Sequence, residues 1–231
     1  MITLNFWREA IVREDVLVSE DILKRLNEAV VKYDVELTVE LAKEVIATGF
    51  DPLKAIEQGL GEGLRVIGDE FEAGEIFLPM LMMAAQAVKE SLAILEPALP
   101  KGTSRKTLGK VVIGTVEGDI HDIGKTIVAA MLTANGFEVY DLGCDTPTSK
   151  FVDKVKEVKA DIIGMSALLT TTMTKMAEVI NVLKKAGLRG NVKVIVGGAP
   201  VSAAWAEKIG ADAYAEDAIA SVDVSKKLLD K

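Results

Sequence analysis

The sequence predicts an α/β protein of two modules. The first is an antiparallel four-helix bundle, and the second is a five-stranded parallel sheet with helices on both faces. Three observations carry this reading. Apolar residues recur with helical period through residues 21–96. The polar, proline-containing stretch PALPKGTSRKT, residues 97–107, then interrupts that pattern and reads as a linker. Beyond it, short β-branched runs alternate with helical segments of about ten to fifteen residues.

Ile22, Leu23, Leu26 and Val30 mark the first helix. Leu37, Leu41 and Val45 mark the second, which Gly49 closes. Asp51-Pro52 supplies an N-cap and first-turn pair for the third. Leu53, Ile56, Leu60, Leu64, Ile67 and Phe71 follow it as one regular helix, and Gly74 stops it. Pro79 opens a fourth, carrying Leu81, Ala85, Val88, Leu92 and Leu95. Loops this short imply antiparallel neighbours.

After the linker the strand-like runs are KVVIGTV, FEVYDLG, DIIGMSA, VKVIVGG and DAYA. Helical runs separate them at Lys125–Asn135, Pro147–Lys159, Met173–Ala186 and Val201–Ile209, and a last one covers Ala218–Leu229. Five strands in βα alternation suggest the flavodoxin-like order 2-1-3-4-5, with ligands beyond the carboxyl ends of the strands. The domain boundaries expected are an arm at 1–18, a helical domain at 19–96, the linker at 97–107 and the α/β domain at 108–231.

Composition narrows the function. Hydrophobic residues make up 49% of the chain, but no uninterrupted apolar run approaches the ~18 residues of a membrane helix. The N-terminal MITLNFWREAIVRED lacks the features of a signal peptide. A cytoplasmic protein without a membrane partner is therefore expected. A net charge of -8 without a basic cluster argues against nucleic acid. The one cysteine, Cys144, excludes an internal disulfide and any multi-cysteine metal site, and reads as incidental.

The segment GDIHDIGKT, Gly118 to Thr126, follows the first strand and holds the only histidine, His121. It resembles a phosphate-binding P-loop but carries one residue too many between its glycines. Asp119 and Asp122 would also repel a phosphate. The dinucleotide pattern G-x-G-x-x-G is absent after the first strand, and a phosphoacceptor receiver would leave the histidine unexplained. A bland loop histidine is the competing reading. Against it stand its place at the ligand edge of the fold and Asp119, which can accept one ring N–H and leave the other nitrogen free. Gly118 and Gly124 let backbone approach something large. One histidine cannot build a zinc site. A metal at His121 must arrive already chelated, as in a haem or a corrin. An extended loop at a sheet edge suits a flat macrocycle lying across the strand ends.

Asp119-x-His121-x-x-Gly124 resembles the DxHxxG signature of cobalamin-binding domains. Ser166-x-Leu168 is similar to that family's SxL motif, and Gly197-Gly198 to its GG motif, in the same order. The stretch GDEFEAGEIFLPMLMMAAQAVKE, residues 68–90, is similar to the helical cap of methyl-carrying members. The resemblance covers residues ~20–230 and points to small corrinoid proteins of methylamine, methanol and methoxyaromatic methyltransferase systems.

That resemblance implies cobalamin or a related corrinoid as cofactor, with its own base displaced and His121 as lower axial ligand of cobalt. It implies that Asp119 holds the other ring nitrogen and that a hydroxyl completes the relay. Thr172 is offered for this, with Thr170 and Thr171 beside it. It places Gly118, Asp122, Ile123 and Gly124 at the cofactor, and Ser166, Leu168, Thr170, Gly197 and Gly198 along a slot for the nucleotide tail. A plain strand-to-helix turn would also explain the glycines, and helix capping at Met173 would also occupy the threonines. Phe77, Met80 and Met83 are expected to shield a cobalt-bound methyl group, although a Met-rich helix also suits an ordinary core.

No substrate-activating site is visible, and a methyltransferase barrel would need ~250 further residues. The chain is expected to be a methyl carrier that is not catalytic alone. The implied partners are a substrate-specific methyltransferase, a second methyltransferase that accepts the methyl group, and a reductive activase. A cobalamin-binding sensor and the small subunit of an adenosylcobalamin mutase are the alternatives. The first usually carries an output domain, and the second lacks this helical module.

Overall fold

The computed structural model describes residues 21–100 and 107–230. The expected arm and most of the linker lie outside the described residues. The chain divides into two compact units, Met1–Lys106 and Thr107–Lys231.

The helical unit contains α1 (21–31), α2 (Val35–Thr48), α3 (from Pro52 to Glu72) and α4 (Leu78–Leu95). Asp34 caps α2 by accepting from Leu37 N at 2.9 Å, and Gly49 closes it in the left-handed region at φ 71°. Leu26, Val30, Leu41, Val45, Leu60, Ile67, Leu81 and Leu95 form the buried interior. Two glycines set the approach of α1 to α3. A Cβ on Gly63 would lie 2.9 Å from Val30 Cβ, and one on Gly59 would lie 3.0 Å from Leu26 Cβ.

The third helix is not regular. Its middle, Ala55–Gly61, is π-helical between α-helical Pro52–Lys54 and Glu62–Glu72. The cause is visible in the burial pattern. Ala55 and Ile56, Gly59 and Leu60, Gly63 and Leu64, and Ile67 and Gly68 are buried, a repeat of four. An α-helix at 3.6 residues per turn would rotate this stripe by about 40° per repeat. The wider π turns absorb that rotation and keep the stripe on one face.

Helix α4 has the length and composition to cross a bilayer, although charged and polar residues interrupt its apolar sequence. Gln86, Lys89 and Glu90 interrupt it on an exposed side, while Leu81, Ala84, Ala87, Val88, Leu92 and Leu95 are buried. That division is the pattern of a bundle helix.

The second unit runs β1 (Lys110–Thr115), α5 (Ile123–Ala134), β2 (Glu138–Asp141), α6 (Thr148–Val158), β3 (Ile162–Ser166), α7 (Thr174–Lys185), β4 (Lys193–Gly197), α8 (Ala203–Ile209), β5 (Ala213–Ala215) and α9 (Ala218–Leu228). All strands are parallel, in the order β2-β1-β3-β4-β5. Phe151, Val155, Ile163, Met165, Met176, Ile180, Val194 and Val196 lie in the core under α6 and α7. Strands buried on both sides explain the near-continuous apolar runs.

The register fixes where the functional loops emerge. Thr115 pairs with Ser166, and Ser166 pairs with Gly197. The loops carrying His121, Leu168 and Gly198 therefore leave the sheet side by side, at the carboxyl ends of three neighbouring strands.

Candidate functional site

The site is built around Asp119, which is fully buried. Beyond β1 the chain turns through Gly118 at φ 82°, a conformation that favours glycine. The turn brings Asp119 beneath its own loop. Its Oδ1 accepts from His121 N at 3.1 Å and lies 2.8 Å from His121 Nδ1. Its Oδ2 accepts from Leu168 N at 2.8 Å, Leu169 N at 3.2 Å and Thr172 Oγ1 at 2.7 Å. One carboxylate thus ties the loop after β1 to the loop after β3.

Burial alone would push the Asp119 carboxyl up. Hydrogen bonds from Thr172, from His121 and from the Leu168 and His121 backbone outweigh it and hold the group well below the usual carboxylate value. An ionised carboxylate only accepts, so the geometry selects the tautomer of His121 that carries its proton on Nδ1. The lone pair is then on Nε2. The imidazole is 48% exposed, while its carboxylate partner is wholly shielded.

The loop is anchored at further points. Buried Thr115 donates from Oγ1 to the His121 carbonyl at 3.0 Å. The Asp122 carbonyl accepts from Thr126 N at 2.8 Å and starts α5. Around His121 the exposed side chains are apolar: Ile120 at 73%, Ile123 at 75%, and Leu168 and Leu169 at lower exposure. Four exposed aliphatic residues beside a half-exposed imidazole are unusual for a surface that faces only water.

The structure separates the remaining expected residues. Thr172 is buried and bonded to Asp119, whereas Thr170 and Thr171 are exposed. Helix α7 has no side-chain cap at Met173, so the capping role read for the threonines is not used. Thr172 spends its hydroxyl on Asp119 and on the Leu169 carbonyl instead. Ser166 is half-buried at the end of β3.

The glycines also divide. A Cβ on Gly124 would meet nothing within 4 Å, so the chain's own packing does not require glycine there. A Cβ on Gly198, at φ 115°, would lie 2.0 Å from the Ala167 carbonyl oxygen, and one on Gly197 would lie 2.8 Å from that of Ala215. Those two glycines are demanded by backbone approach between strand ends. In the helical unit, Phe77 is 74% exposed, Met82 and Met83 are exposed and Met80 is half-buried. The interior of that unit therefore does not account for Phe77 or Met83.

Three contributors were not read from the sequence. Lys125, in the first turn of α5, is buried with its Nζ 2.5 Å from Asp141 Oδ2. Asp145 Oδ1 accepts from Gly118 N at 2.7 Å. No local pattern links residues 118–125 to 141–145, because only strand pairing brings the two segments together.

Comparison with known proteins places this geometry. The chain is 52% identical to dimethylamine corrinoid protein 2 of Methanosarcina acetivorans over 213 residues, covering 91% of this chain and 97% of the relative. The chain belongs to the methylamine corrinoid protein family. Two models described as B12 binding domain match residues 22–96 and 109–223. Trimethylamine corrinoid protein 1 of Methanosarcina mazei is 47% identical over 211 residues, 91% of this chain and 98% of that one. The solved methanol:cobalamin methyltransferase complex of Methanosarcina barkeri contains a chain 31% identical, with a TM-score of 0.81 over 91% of this chain and 80% of that one.

The residues present fit a corrinoid. Among the described residues no three His, Cys, Asp or Glu side chains gather as a metal site. His121 instead offers one nitrogen, suited to a metal that carries its other ligands in its own ring. The aliphatic side chains beside it suit the edge of a flat macrocycle, and the open space at Gly124 leaves room for it.

Proposed function

We propose that this chain carries a methyl group on the cobalt of a bound corrinoid within a methylamine methyltransferase system, with His121 as the lower axial ligand. The observation that carries the reading is the oriented imidazole: Nδ1 is held 2.8 Å from a buried carboxylate, and Nε2 is left to a ligand. A bound corrinoid supplies a cobalt centre that accepts a methyl group from one partner and yields it to another. The protein's part is to fix the ring tautomer and keep its orientation through the Asp119 carboxylate. Thr172 and the Leu168 and Leu169 amides keep that charge in place during the cycle. Ser166, Leu168, Thr170, Gly197 and Gly198 lie at the ends of β3 and β4 and on the loops that follow, along which a displaced nucleotide tail would run.

Identities of 52% and 47% to dimethylamine and trimethylamine corrinoid proteins, against 31% to the methanol system, favour a methylated amine as methyl source. The partners proposed are a substrate:corrinoid methyltransferase that forms a complex with this chain, a second methyltransferase and a reductive activase, all in the cytoplasm.

The test is reconstitution. The full chain is mixed with methylcobalamin, desalted, and its visible spectrum recorded. The wild type should retain a coloured, histidine-ligated complex, and His121→Ala should lose the histidine-ligated bands. Loss of all colour from the wild type, or an unchanged spectrum in His121→Ala, overturns the reading. Methyl transfer from mono-, di- and trimethylamine with each candidate methyltransferase then assigns the donor.

A further inference from the structure

The last residue of β2 and the segment that follows it hold the His121 loop at both of its ends. At the start of the loop, Asp145 makes two bonds. Its Oδ1 accepts from Gly118 N at 2.7 Å, and its backbone N donates to the Asp119 carbonyl at 2.8 Å. At the end of the loop, Asp141 Oδ2 lies 2.5 Å from buried Lys125 Nζ, while its Oδ1 accepts from Gly143 N at 2.8 Å. Between these points Gly143 O accepts from Thr115 N at 3.0 Å, and Thr146 N donates to Thr115 O at 3.0 Å. Thr115 in turn holds the His121 carbonyl.

Asp145 itself is exposed. Its backbone sits at φ 47°, where aspartate and asparagine are tolerated better than most side chains. That conformation lets one residue aim its amide at Asp119 and its carboxylate at Gly118 together. Gly118 faces it at φ 82°. Two left-handed residues thus lock against each other immediately before the buried carboxylate.

We propose that Asp145 is a positioning residue for the axial histidine, acting through the backbone of Gly118 and Asp119 rather than by touching the imidazole. By fixing where the Asp119 backbone lies, it fixes the direction from which Oδ1 meets Nδ1. The assignment of His121 as a ligand rests on the proposed function; the positioning of its ring by Asp145 does not.

His121 is the only histidine in the chain, so its ring nitrogens give unambiguous NMR signals. Asp145→Ala, Asp145→Asn and Asp161→Ala are compared with the wild type as full-length chains. Asp161 is the control: its carboxylate also accepts a backbone N–H, from Lys110 at 2.7 Å, but at the opposite end of β1. Two quantities are read. One is the share of the Nδ1–H tautomer in the cofactor-free protein at fixed neutral pH, and the other is the affinity for methylcobalamin.

Asp145→Ala should give a mixed tautomer population and bind methylcobalamin about tenfold more weakly, the lower end of what outer-shell substitutions cost metal sites. Asp145→Asn keeps a carbonyl acceptor and tolerance for positive φ, and should restore both readings. Asp161→Ala should lower the melting temperature and change neither. The inference is overturned if Asp145→Ala behaves like Asp161→Ala, losing stability with tautomer and affinity intact. If the tautomer shifts in Asp145→Ala but not even the wild type retains methylcobalamin, the positioning role stands and the proposed function fails.

Discussion

Asp119 is buried, charged and bonded to donors from two loops, whereas among the described residues the helical unit buries no charged side chain. Thr38 and Ser91 are the polar residues buried there. That unit is held by aliphatic packing and by the close approach of α1 to Gly59 and Gly63. Packing of this kind yields gradually, because neighbours relax around a changed volume. A buried carboxylate does not, since each donor aimed at it loses its partner when it goes. The two units should therefore respond to substitution in different ways.

The sharpest break would come from Asp119→Ala. It strands the Leu168 and Leu169 amides and takes the charged acceptor from the Thr172 hydroxyl, which keeps only the Leu169 carbonyl. We expect a loss of about 3 kcal/mol or more in urea unfolding, together with loss of methylcobalamin retention. A change below about 1 kcal/mol would end the distinction between the units. Thr172→Ala removes one donor to the charged group and should cost about 2 kcal/mol, most of it recovered in Thr172→Ser.

The charge at Asp119 also predicts the acid limb. Its carboxyl is held below the unfolded value of about 4, so it binds fewer protons folded than unfolded. Its stabilisation is fully present above that value and is lost as pH falls through it toward the lower folded one. Urea midpoints between neutral pH and about pH 3 should fall more steeply in the wild type than in Asp119→Asn.

In the helical unit, Gly63→Ala gains about 1 kcal/mol of helix propensity but crowds Val30. The crowding costs more, and the net loss should be about 1 kcal/mol with the His121 tautomer unchanged. Phe77→Ala should be the smallest, within about 0.5 kcal/mol, because Phe77 lies outside the interior of its own unit. If it nevertheless weakens methylcobalamin retention, exposed apolar surface in that unit serves the cofactor rather than the fold.

Much of this molecule is legible along the chain. A parallel sheet follows from βα alternation, since parallel strands are joined by crossovers, and the order among its strands is set by which of them pair. The Asp119–His121 pair is legible because its members are two residues apart. Thr172 was one of three adjacent threonines, and its selection required knowing which hydroxyl the turn after β3 aims inward. The π segment in α3 is not legible along the chain, because a repeat of four looks helical until the drift of 3.6 is summed over several turns.

The sequence by itself determined two modules, the place of the ligand edge and the one imidazole set at it. Local periodicity and the count of histidines suffice for those. Tertiary structure alone decided that Asp119 is buried yet charged, that Thr172 completes its set, and that Asp141 and Asp145 grip the loop from β2. Such facts depend on register. Thr115, Ser166 and Gly197 stand in line across three strands separated by tens of residues, and only the hydrogen-bonded sheet puts their loops together.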